Sequence, residues 1–88
     1  MQFWFDFEAL DSSAASIVAL HFGEPRRHPV HDMWVCDIIW EGADLPGKAA
    51  YGASPMDALA NALTIGQAAL EIASAGARIT PRSPPTGS

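Results

Sequence analysis

Apolar residues near the N-terminus recur at every second position. Phe3, Phe5 and Phe7 alternate with Trp4, Asp6 and Glu8, the period-two signature of a strand with one buried and one wetter face. This predicts a first strand over about residues 2 to 9. Asp11-Ser12-Ser13 is turn chemistry, and Ser16 to Phe22 alternates again, with Val18, Leu20 and Phe22 against Ile17, Ala19 and His21, as a second strand. Gly23-Glu24-Pro25-Arg26-Arg27-His28-Pro29 breaks the pattern and reads as a loop, since two prolines remove ladder donors and glycine weakens pairing. Met33 to Trp40 is almost continuously apolar, which suits a central strand with Trp34, Cys36, Ile38 and Trp40 on one face. Its other face carries Val35, Asp37, Ile39 and Glu41. A loop at Gly42 to Gly47 leads to a short fourth strand, Lys48 to Gly52.

After Gly52 the period changes from two to 3.6. Ser54-Pro55-Met56-Asp57 predicts a helix start, with Ser54 as N-cap, Pro55 in the first turn and Asp57 reaching back as the capping-box acid. Leu59, Ala62, Leu63, Gly66, Leu70 and Ala73 form the stripe that packs on the sheet. A glycine at 66 in mid-helix implies close approach to a bulky strand residue such as Trp34 or Trp40, and Gly76 is the expected C-terminal stop. The predicted fold class is therefore α+β: a four-stranded antiparallel sheet followed by one long C-terminal helix packed on one face, in the order ββββα. Residues 1–79 form the single domain, and residues 80–88, rich in Pro, Ser and Thr, form a disordered tail.

One helix covers one face of a sheet. The other face then carries Trp4, Asp6, Glu8, Val35, Asp37, Ile39 and Glu41, an acidic surface with apolar groups among the charges. Trp4, Asp6, Glu8, Asp37, Ile39 and Glu41 are the candidate partner-binding residues. The competing expectations are that twist, loops and tail cover this face, or that two copies of the chain pair there.

Charge sharpens this picture. Ten acids against five bases give a formal charge of −5, which argues against direct binding to a phosphate backbone and favours a basic partner. Between Arg27 and Lys48 there is no Lys or Arg, while Asp32, Asp37, Glu41 and Asp44 all fall there. At 88 residues, with 49% hydrophobic and 17% charged residues, the chain is one small globular domain, too short for a Rossmann or barrel enzyme. With Cys36 as the one cysteine there is no intrachain disulfide, and a reducing cytoplasm is the expected setting. The start Met1-Gln2-Phe3-Trp4 shows neither a basic n-region nor a long apolar run, so no signal peptide, membrane span or membrane partner is expected.

Candidate chemistry is thin. His28-Pro29-Val30-His31, with Asp32, His21 and Cys36 in the same stretch, has metal-ligand residue types, but a proline separates the histidines in a loop and no second pair matches them. Cys36 sits among Trp34, Asp37 and Ile38, the setting of a core thiol and not of an activated nucleophile. Ser12, Ser13 and Ser16 lack a nucleophile-elbow motif, and Gly42 to Gly47 carries no phosphate-binding pattern. Asp37 and Glu41 lie about 13 Å apart along a strand, too far to serve one bond as an acid/base pair. The reading is a non-enzyme without a cofactor.

Two resemblances add to this. Gly23-Glu24-Pro25 through Trp34-Val35-Cys36, Tyr51-Gly52-Ala53-Ser54-Pro55-Met56-Asp57-Ala58-Leu59, Ile65-Gly66 and Gly76-Ala77-Arg78 resemble a family of small uncharacterised bacterial and prophage domains, over about residues 17–79. That resemblance implies a strand-rich half followed by a helix and brings no catalytic residues. Asp44-Leu45-Pro46-Gly47, Tyr51-Gly52 and Ser54 to Glu71 are similar, over under a third of the chain, to the turn-strand-helix pattern of HicB-like antitoxins. Those domains also need a strand after the helix and often a DNA-binding module, for which this sequence shows no signal. Together these features suggest a small acidic inhibitor that covers the functional surface of a basic protein partner. The partner would be a nuclease, a toxin or a CRISPR effector subunit, and the chain an anti-CRISPR-type phage protein, an immunity protein or an antitoxin. The alternative is a self-associating structural or scaffold module built on a homodimer.

Overall fold

The computed structural model describes residues 1–10, 15–42 and 47–84. The predicted Asp11-Ser12-Ser13 turn, most of the 42–47 loop with Asp44, and the last four residues lie outside them. The chain is α+β, with an antiparallel sheet and one long helix. The strands are β1 (Gln2–Ala9), β2 (Ala15–Phe22), β3 (Arg26–Arg27), β4 (Trp34–Glu41), β5 (Lys48–Gly52) and, after helix α1 (Pro55–Ala73), β6 (Ala77–Arg82). Among the described residues the sheet therefore has six strands where the sequence pattern predicts four.

The two additional strands have separate causes. β3 lies inside the predicted loop and continues β2 along the same side of β4: Phe22 faces Ile38, while Arg26 faces Val35. Between those pairs Gly23 N–H still bonds Asp37 O at 2.9 Å, so Glu24-Pro25 carries one residue more than β4 does and forms a bulge. A proline at a bulge is compatible with pairing on either side of it.

β6 brings residues 80–82 of the predicted tail into the sheet beside β1, correcting the domain boundary at 79 and supplying a strand after the helix. Pro81 is accommodated by register. Leu10 N–H bonds Gly76 O at 3.2 Å, so the bonded pairs with β1 fall at every second residue from Gly76 and skip Pro81. The proline's missing donor thus points to the open edge, where it also discourages further strand pairing.

The order across the sheet is β5, β4, β2 with β3, β1 and β6. α1 links β5 at one edge to β6 at the other, so it must cross the sheet diagonally. At its start Ser54 Oγ accepts the Asp57 N–H at 3.1 Å, as the predicted N-cap requires, and Asp57 contributes this backbone donor. At its end the cap is Ser74, in ordinary helical conformation, and not Gly76, whose carbonyl instead joins the sheet.

The core lies between α1 and the sheet. It comprises Leu20, Phe22, Cys36, Ile38, Ala50, Ala58 and Ala62, with Phe5, Trp34, Trp40, Leu59, Ile65 and Leu70 packed around it. Small residues on the helix let it approach closely. A Cβ on Gly66 would lie 2.8 Å from Phe22 Cζ and 3.2 Å from Leu20 Cδ2, so the bulky neighbours at this crossing are Phe22 and Leu20 and not the predicted Trp34 or Trp40. A Cβ on Gly52 would collide with the backbone of Asp57 and Ala58, which pins the first turn of α1 onto β5.

Candidate functional site

The sheet face away from α1 holds all six candidate residues, because alternation puts Trp4, Asp6 and Glu8 of β1 and Asp37, Ile39 and Glu41 of β4 on the same side. β2 lies between them, with Ile17 opposite Asp6, Ala19 between Trp4 and Glu41, and His21 opposite Ile39. The face is not covered by a second layer of structure among the described residues. Ile39 and Ile17 are 44% and 43% exposed, and Trp4 is half-buried. Two positions are closed by their neighbours. Ala19 lies buried between Trp4 and Glu41, and Val35 lies buried between Arg26 and Tyr51. The centre of the face is thus apolar, formed by Ile39, His21, Trp4, Ala19 and Ile17, with charged groups around it.

Those charged groups are less one-sided than the sequence suggests. Asp6 Oδ1 accepts from Arg82 Nη1 at 2.9 Å, and Asp37 Oδ1 lies 3.4 Å from Arg26 Nη2. Arg78 stands directly opposite Glu8 on the neighbouring strand. The acidic face is therefore mixed, and Glu41, opposite Ala19, takes part in none of the three ion pairs among the described residues. Arg26, Arg78 and Arg82 belong to this surface, on strands β3 and β6 that the sequence pattern does not predict: Arg26 falls in the predicted loop, Arg82 in the predicted tail, and Arg78 just after the predicted helix stop. Ile17 and His21 carry a signal that was available, since the alternation of β2 puts them opposite Val18, Leu20 and Phe22. The Nδ1 atom of His21 is buried without a hydrogen-bond partner among the described residues.

The other candidate chemistry is structural. His28 Nδ1 accepts the backbone N–H groups of Val30 and His31 at 3.1 and 3.0 Å, closing the turn between β3 and β4, with the two imidazole rings 4.9 Å apart. Asp32 pairs with Arg27 at 3.0 Å, and the Arg27 guanidinium lies 5.7 Å from the centre of the Trp34 ring. Among the described residues no three His, Cys, Asp or Glu side chains form a group that could hold a metal ion. Cys36 is fully buried and its thiol donates to Gly23 O at 3.3 Å. Burial, reinforced by the Asp37 carboxylate, pushes that thiol above its ordinary pKa, the reverse of what a nucleophile requires. No described helix is long and apolar enough to cross a membrane. No family model, curated protein or solved structure matches the chain.

Proposed function

We propose that this protein is a non-enzymatic binding protein that inhibits a protein partner by stoichiometric occlusion of the partner's functional surface, through the uncovered sheet face. The observation that carries this reading is the composition of that face: half-exposed Ile17 and Ile39 beside Trp4, within a border of charged pairs. An apolar, aromatic centre inside a polar rim is the makeup of a recognition surface. Trp4 and Ile39 are its anchors, and Asp6, Glu8, Asp37 and Glu41 set orientation. The net charge of −5 favours a basic partner such as a nuclease, a toxin or a CRISPR effector subunit, and fits a phage inhibitor, an immunity protein or an antitoxin. With Asp6 and Asp37 already paired to arginines and Glu8 facing Arg78, electrostatic steering rests most on Glu41.

A second reading has its own observation. The face carries both signs of charge, Arg26 and Arg82 beside Asp37 and Asp6, and such a surface is able to match a copy of itself, as in a self-associating module. One experiment separates the two. Tagged wild type and the Trp4→Ala/Ile39→Asp variant are used to capture proteins from lysate of the source cells, and each is sized by sedimentation. A stoichiometric partner held by the wild type and lost by the variant supports the inhibitor. A wild-type dimer that the variant turns into a monomer, with no other protein captured, replaces it with the self-association reading. Retention of the partner by the variant removes the sheet face from the account.

A further inference from the structure

We propose that the wedge between the second half of α1 and the β4–β5 corner of the sheet is a binding site for an amphiphile with an apolar tail and a singly charged anionic head. The wedge follows from topology. α1 starts tightly against β5 at Gly52 and ends towards β6 at the opposite edge, so it moves away from the β4–β5 corner as it runs. The helix stripe records this divergence. Ala58, Ala62 and Gly66 are buried, whereas Ala69 and Ala73, further along the same stripe, are only partly buried.

The space left is a cavity of about 420 Å³, within the range of small-molecule sites. Ile38 and Trp40 form its floor, and Ile65, Ala69 and Ile72 its helical wall. On the mirror corner the comparable gap is narrowed by Phe3 stacked edge-on against Phe22, 6.0 Å between ring centres. Here no such aromatic pair closes the gap among the described residues, and Gly66, Ala68, Ala69 and Ala73 alternate with the isoleucines of the helical wall.

The ligand class follows from the lining. It is apolar except at one place, the mouth, where Lys48 projects from β5 on the helix side of the sheet, opposite Ile38. Lys48 is the one charged residue of the lining and takes part in none of the three ion pairs among the described residues. Asp37 and Glu41, the acids nearest in sequence on β4, point to the opposite face. An apolar slot with a single solvent-facing cation at its mouth fits an alkyl or aryl tail inside and one anionic group outside.

Isoleucine methyl groups provide an internal control. Ile38, Ile65 and Ile72 line the wedge, whereas Ile17, Ile39 and Ile79 lie elsewhere. Full-length protein with labelled isoleucine methyls is titrated with dodecanoate well below its micelle-forming concentration, and with dodecanol as the uncharged control. The proposal expects saturable shifts at Ile38, Ile65 and Ile72 and none at the other three. Lys48→Glu should weaken dodecanoate roughly fivefold, the size expected when a solvent-facing ion pair becomes a repulsion, and leave dodecanol unchanged. Ala69→Leu, which fills the wedge without touching the mouth, should abolish both while the thermal midpoint holds or rises. Absence of saturable shifts, equal shifts at Ile17 and Ile39, or unchanged dodecanoate affinity in Lys48→Glu overturns the proposal.

Discussion

The two faces of this sheet are built from alternate residues of the same strands, and they differ in what closes them. On the helix side, Leu20, Phe22, Cys36 and Ile38 are sealed by a helix whose contact stripe is alanine and glycine. On the far side, among the described residues, Ile17, Ile39 and Trp4 have only their cross-strand neighbours for cover. One face therefore holds most of the buried core, and the other keeps Ile17 and Ile39 partly exposed. In a chain of 88 residues that division matters, because a small domain hides a modest share of its surface and has little to spare. Apolar groups left on a flat face with a charged rim are the resource from which recognition is built.

Ile38 and Ile39 make the sharpest comparison: adjacent isoleucines on one strand, 2% and 44% exposed. Ile38→Ala should cost about 3 to 4 kcal/mol of unfolding free energy, the range for truncating a buried aliphatic side chain. Ile39→Ala should cost under about 1 kcal/mol and instead weaken partner binding. Denaturant unfolding of the two variants checks the first half of this contrast, and equal losses would erase the distinction between the faces.

A somewhat smaller effect is expected where helix and sheet touch. Gly52→Ala places a methyl group against backbone at the start of α1, so about 2 to 3 kcal/mol should be lost through displacement of the helix. No comparable loss is expected from Gly23→Ala, whose new methyl group would meet Asp37 Cβ at an ordinary 3.5 Å. Thermal melts of the pair test whether close approach is specific to the covered side.

Charge should matter less still. The Arg82–Asp6 pair is at 2.9 Å but is partly exposed, so Arg82→Ala should cost below about 1 kcal/mol. The loss should shrink further in high salt, which a melt series at rising ionic strength measures. The smallest expected effect concerns Cys36. Its folded pKa lies above its ordinary value of 9.0, mainly through burial and then through Asp37, so the thiol holds its proton more firmly when folded. That contribution is intact below about pH 9 and is lost as pH rises above it, because the unfolded chain ionises first. Cys36→Ala should flatten the alkaline end of the stability profile relative to wild type, apart from any constant offset from lost packing.

Much of this architecture is written in local pattern. β1 and β5 have the predicted boundaries, β2 starts one residue earlier, β4 is displaced by a single residue, and α1 begins at the predicted cap. Two-residue and 3.6-residue periods survive because each element buries one face. β3 and β6 escape that logic. Two arginines between prolines have no period, and Ala77-Arg78-Ile79-Thr80 alternates for only four residues before a proline that reads as a breaker until the register turns its nitrogen outward. Membership of the far face was legible from alternation, but its electrostatics were not. The partners of Asp6 and Asp37 lie 76 and 11 residues away, on strands whose existence depends on long-range pairing.

The claim that recognition belongs to the bare sheet face is tested most directly by oxidative footprinting of the wild-type protein, free and in complex with its captured partner. Trp4 and Ile39 report on the sheet face, while Met56 and Ile72, 81% and 77% exposed on the helix, report on the other side. Complex formation is expected to protect Trp4 and Ile39 and to leave Met56 and Ile72 as reactive as in the free protein. Protection of Met56 and Ile72 with Trp4 and Ile39 unchanged would contradict it and move the binding surface to the helix.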